Sequence, residues 1–85
     1  MEYIYYVEAN PNDSMSSTQH CRSFQEALKW ADNLRDNYDI SDPGIFRVFL
    51  RNGSICIERY INGCWYAPVY DAETCSWEYC TKVTT

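Results

Sequence analysis

Apolar and polar positions along this chain follow two different rhythms. Tyr3 to Ala9 is a short aromatic and β-branched run closed by Asn10-Pro11, which predicts a first strand. From Asn10 to His20 the only large apolar side chain is Met15, so this segment is expected to be a mobile connector. The period then changes. Phe24, Ala27, Leu28, Ala31, Leu34 and Tyr38 recur at three- and four-residue steps. Gln25, Lys29, Asp32, Asn33 and Asp36 fill the opposite arc, and Trp30 lies at the edge of the stripe. Ser23-Phe24-Gln25-Glu26 is a capping box, so a helix starts there, runs to about Tyr38 and packs by that stripe. Asp39 to Gly44, with Asp42-Pro43-Gly44, reads as a loop.

Asn-Gly occurs at 52–53 and again at 62–63, each time between β-rich runs, which predicts two tight type I′ hairpins. The first turn sets Arg51 opposite Ser54, Phe49 opposite Cys56, Val48 opposite Ile57, and Arg47 opposite Glu58 as a cross-strand ion pair. The second sets Ile61 opposite Cys64, Tyr60 opposite Trp65 and Arg59 opposite Tyr66, with Pro68 and the Asp71 to Glu73 turn closing that strand. Residues 74 to 83 alternate as a last strand, with Cys75, Trp77, Tyr79 and Val83 on one face.

The expected order is β-α-β-β-β-β, a two-layer α+β fold with one helix on a mostly antiparallel sheet. Phe46, Val48, Leu50, Ile55 and Ile57 form the more aliphatic face and are expected to seat the helix. The other face carries Ile45, Phe49, Cys56, Tyr60, Trp65 and Val69, too apolar for a plain solvated surface. Two readings of Phe49, Tyr60 and Trp65 stay open, a second small core and an interface anchor.

With 85 residues there is room for one core, so residues 1–85 form one domain. An apolar share of 46% and an aromatic share of 16% exclude a disordered chain. The net charge of −5 opposes binding to phosphate backbones or anionic membranes and favours another protein as partner, although a modest negative charge also serves solubility alone. Asp32, Asp36, Asp39 and Asp42 form an acidic run along the helix and the loop after it. It reads either as a solvated face beside Lys29 and Arg35 or as a mimic of nucleic-acid phosphates.

No nucleophile elbow, glycine-rich phosphate loop or His-Glu-x-x-His spacing is present, so no enzymatic activity is expected. His20 beside Cys21 is the one thiol–imidazole pair, but sequence neighbours at a loop end seldom point at each other. Glu58 and Glu78 are a candidate acid–base pair, already weakened by Arg47 as a partner for Glu58. The five cysteines lack a Cys-x-x-Cys unit, and the N-terminus has no signal-peptide pattern. Free thiols, no metal, no cofactor and a cytoplasmic location are therefore expected. Arg47, Arg51, Phe49, Tyr60 and Trp65 share a face, which offers single-stranded nucleic acid an alternative stacking platform, against the net charge and Glu58.

In size, acidity and lack of catalytic motifs the chain resembles the small proteins that phages and mobile elements encode against host defence, notably the anti-CRISPR proteins. That resemblance carries no shared motif and assigns no residue. It implies a stoichiometric inhibitor of a nucleic-acid-handling effector, offering carboxylates to a basic channel. The expected function is thus non-enzymatic protein binding through Phe49, Tyr60 and Trp65 and through Asp32, Asp36, Asp39 and Asp42. The alternatives are a single-stranded nucleic-acid binder, a structural homodimer module, and an enzyme acting on a small molecule.

Overall fold

The computed structural model describes residues 2–11 and 17–83. Its elements are β1 (Ile4–Glu8), β2 (Thr18–Cys21), α1 (Phe24–Tyr38), β3 (Gly44–Arg51), β4 (Ser54–Ile61), β5 (Cys64–Asp71) and β6 (Ser76–Lys82). All six strands join one antiparallel sheet in the order β2-β1-β3-β4-β5-β6, with the helix on one side, so the fold is α+β with a single sheet.

The helix begins as its capping box dictates. Ser23 is extended, and its hydroxyl accepts from the Glu26 amide at 3.1 Å. The Glu26 carboxylate reaches one residue further back than usual and accepts from the Arg22 amide at 3.2 Å. Asp39 ends the helix in the left-handed conformation, at φ 55°. Both hairpin turns are as expected: Asn52 and Asn62 have φ of 51° and 48°, followed by Gly53 and Gly63 at 80° and 86°. The strand registers follow, including Arg47 opposite Glu58 and Tyr60 opposite Trp65.

Two expectations are corrected. The segment 10–20 is more than a connector, because Thr18–Cys21 pairs with β1 through Tyr5–Cys21 and Glu8–Thr18. Only Cys21 of that strand is buried, and an edge strand held by backbone bonds needs no apolar alternation to form. Residues 12–16, which include Met15, lie outside the described residues.

The second correction concerns the covered face. Fully buried Ala27 and Ala31, with Leu34, pack on Val7, Cys21 and Ile45, and Tyr5, Phe24, Leu28, Trp30, Tyr60 and Trp65 close around them. The helix therefore lies on the Ile45, Tyr60 and Trp65 side, opposite to Phe46, Val48 and Leu50. The stripe ends before Tyr38, which is 63% exposed.

Beneath the helix layer sits the predicted ion pair. Arg47 Nε and Nη2 both donate to Glu58 Oε1 at 2.6 Å, and the two side chains are nearly closed to solvent. The guanidinium lies over two rings, 4.5 Å from the Tyr3 centroid and 4.2 Å from that of Trp65. A carboxylate and two aromatic faces thus surround its charge, which is how the group is held away from water.

Removing one partner strands the other as a buried charge. Glu58→Ala is expected to cost about 3–5 kcal/mol of unfolding free energy. The shape-filling double variant Arg47→Met with Glu58→Leu is expected to recover most of that loss. Urea denaturation followed by tryptophan fluorescence measures both.

Candidate functional site

On the side of the sheet away from the helix, paired residues share a face by register. Ile4, Val48 and Ile57 lie across three strands, with Leu50 and Ile55 beside them at the β3–β4 turn. Among the described residues no element covers them: Ile4 is 60%, Leu50 65% and Ile55 73% exposed. With Glu2 and the edge of Phe49, these side chains line a depression of about 530 Å³. Water in contact with so many adjacent aliphatic groups costs free energy that an ordinary solvated sheet face avoids by alternating with polar residues.

Further along the same face the surface becomes aromatic and partly closed. Tyr6 stacks on Phe46 with centroids 5.0 Å apart, and Tyr79 meets Phe46 edge-on at 5.6 Å. Tyr79 is in β6 and Phe46 in β3, three strand spacings or about 14 Å apart in a flat sheet. They touch because the β5–β6 arm bends over the face. Pro68 supplies the cause: β4 and β5 pair only from Ile61–Cys64 to Arg59–Tyr66, and the next position to face an amide from β5, Ile57, would meet a proline that has none. The arm departs there, at a register shift between Ala67 and Pro68. Gly44 leaves room for the Phe46 ring, since a Cβ there would lie 2.6 Å from it. At the arm's far end Tyr70 and Trp77 pack on each other at 5.2 Å, with Trp77 still 64% exposed.

Burial acts on the phenols of this cluster. The Tyr6 hydroxyl is pushed up to about 12 by desolvation first, then by the charge of Glu8 and by Tyr79. Tyr79 is raised by burial and by Glu8, with Arg59 acting the other way.

The residues expected to bind a partner fall elsewhere. Phe49 is buried at 4% exposure, and Tyr60 and Trp65 lie under the helix, where Phe24 meets them at 4.9 and 5.5 Å. That packing sets much of this face against the chain's own helix. It also removes the proposed stacking platform, since Arg47 is engaged by Glu58. Of the acidic run, Asp32 pairs with Arg35 at 3.0 Å and Asp42 with Arg59 at 3.4 Å. Asp36 is exposed, and Asp39 forms the helix cap. Two of the four carboxylates are thus answered by arginines, and the alternating signs differ from a row of phosphates. Those two arginines line a second depression, of about 390 Å³, with Leu28, Asp42, Ile45 and Tyr60.

His20 and Cys21 point to opposite faces of β2, as strand alternation requires, so they form no thiol–imidazole pair. His20 lies near Tyr6 on the open side, while Cys21 is buried, its thiol raised by desolvation and then by Glu26. All five cysteines are free thiols. Among the described residues no three His, Cys, Asp or Glu side chains gather as metal ligands, and no helix is long and apolar enough to cross a membrane. The chain matches no protein-family model, no curated protein and no solved structure.

Two outcomes check this assignment of faces. Trp65→Ala is expected to cost about 3–5 kcal/mol, as core aromatic truncations do. Leu50→Asp or Ile55→Asp is expected to stay within about 0.5 kcal/mol of wild type, as for exposed positions. Chemical denaturation gives both values. The raised phenol has a signed pH consequence: between 10.0 and about 12 the unfolded chain has lost a proton that folded Tyr6 retains. Stability falls as pH rises through that window, and Tyr6→Phe makes the fall shallower. Absorbance at 295 nm and thermal melts across the window measure it.

Proposed function

We propose that this chain is a protein-binding module whose contact surface is the open sheet face. The observation that carries the reading is the exposure of Ile4, Leu50 and Ile55 side by side on a face that no element among the described residues covers. Partner surfaces are depleted of charge at their centre and enriched in aromatic anchors, and this face has an aliphatic centre with Trp77 and Tyr70 exposed on the neighbouring arm. The phage-inhibitor expectation is a special case, in which the partner is a nucleic-acid-handling effector and the open face makes the contact in place of the helix carboxylates.

Immobilised wild type, Leu50→Asp/Ile55→Asp and Asp32→Lys/Asp36→Lys chains, exposed in parallel to a lysate of the source cell, test the reading. A protein held by wild type is expected to be held by the helix variant. The open-face variant should lose it by roughly thirtyfold or more in affinity, as for loss of a hot spot of about 2 kcal/mol. Retention by the open-face variant with loss from the helix variant would move the site to the acidic run.

A further inference from the structure

We infer that the β5–β6 arm receives a basic segment of the partner protein, with a cationic side chain of that segment seated on the Tyr70 and Trp77 rings. The inference rests on the reading of this chain as a protein-binding module and adds the chemistry of the partner.

Tyr70 and Trp77 stand directly opposite each other in the β5–β6 register, and Trp77 and Tyr79 lie two apart on β6, so all three share the side of the arm that meets Phe46. The aromatic pair thus continues the open face. Tyr70 is 50% and Trp77 64% exposed, and among the described residues each has only the other as a ring neighbour. Elsewhere this chain covers ring faces with its own guanidiniums: Arg47 lies over Tyr3 and Trp65, Arg51 over Phe49 and Arg59 over Phe46. No cation among the described residues lies over Tyr70 or Trp77.

Charge decides which kind of group those rings attract. From Cys64 to Lys82 the charged residues are Asp71, Glu73, Glu78 and Lys82. Lys82 sits at the root of the arm, opposite Tyr66, while the acids flank the aromatic pair: Asp71 follows Tyr70, Glu78 follows Trp77, and Glu73 is in the turn between the strands. Asp71 accepts from the Glu73 amide, a bond that leaves its charge in place, and among the described residues none of the three acids is in an ion pair. Where the arm meets the sheet, the charges acting on Tyr79 are Glu8 and Arg59, the latter paired with Asp42. By register Asp71 and Glu78 take the side of the arm away from the rings, so they act through their field rather than as direct ligands. On a two-stranded ribbon that separation is roughly 10 Å, about one Debye length. A cation is therefore drawn both by the ring faces and by three uncompensated carboxylates, and an acidic segment is repelled by the same charges.

Titration of the isotopically labelled full chain with a short oligo-arginine peptide, followed by nuclear magnetic resonance, tests the inference. The Trp77 indole N–H signal is expected to shift saturably while those of Trp30 and Trp65 stay in place. Trp77→Leu keeps apolar bulk without the ring face and is expected to weaken the peptide about two- to fivefold, as for an exposed cation–π contact. Glu73→Gln/Glu78→Gln is expected to weaken it and to flatten its salt dependence, whereas Asp32→Asn/Asp36→Asn, with the same charge removed from the helix, leaves both unchanged. A wild-type Trp77 signal that does not move, a Trp77→Leu chain that binds as wild type does, or a helix variant that weakens binding as much as the arm variant overturns the inference. In the lysate comparison, a partner lost by Leu50→Asp/Ile55→Asp and kept by Trp77→Leu overturns the basic-partner assignment and leaves the open-face reading standing. A partner kept by both variants overturns the two together.

Discussion

A guanidinium and a carboxylate leave water only when their charges are answered by each other and by their surroundings, and Arg47 with Glu58 is that case. The carboxylate accepts from the guanidinium, and Tyr3 and Trp65 set their ring faces against it. Tyr3, Trp65, Tyr60 and Phe24 are thereby committed to one side of the sheet, and the helix closes over them with alanines at its nearest approach. The aliphatic strip of Ile4, Val48, Leu50, Ile55 and Ile57 is left on the other side. The exposed face follows from where that one ion pair was placed.

The two sides of the sheet differ in the kind of order they carry. The helix side is fixed by close packing and by an ion pair that tolerates little displacement. The open side has rings stacked at one end, where the arm folds back over Phe46, and flexible aliphatic side chains at the other. Pro68 separates these regimes by ending the β4–β5 ladder. A surface of the second kind adapts to a partner with little rearrangement of the backbone beneath it.

Local chemistry in the sequence was enough for the helix, both Asn-Gly turns and the pairing of Arg47 with Glu58, because each depends on residues close together in the chain. The choice of face was not legible, for two physical reasons. Both faces of β3 and β4 are apolar, and the charged positions 47 and 58 read as solvent-facing until Tyr3 and Trp65 are seen to enclose them. In addition, β2 is polar apart from Cys21 and gives no strand signal. With β2 in place, β2-α1-β3 is a parallel crossover around β1, and the handedness preference for such units favours one face for the helix. Without it the helix joins antiparallel neighbours, and that preference has nothing to act on. Of the expected anchors, Phe49 is therefore buried and Tyr60 and Trp65 are half-buried against the core, and the exposed strip was assigned to the helix.

The placement of the helix over the ion-pair face is tested most directly by nuclear Overhauser contacts between helix and sheet methyl groups. These are read inside one chain and do not depend on its oligomeric state. The Ala27 and Ala31 methyls are expected to show contacts to Val7 and Ile45, with the Tyr60 and Trp65 rings close by. Contacts from those alanines to Val48 and Ile57 instead would put the helix on the aliphatic face and contradict the account.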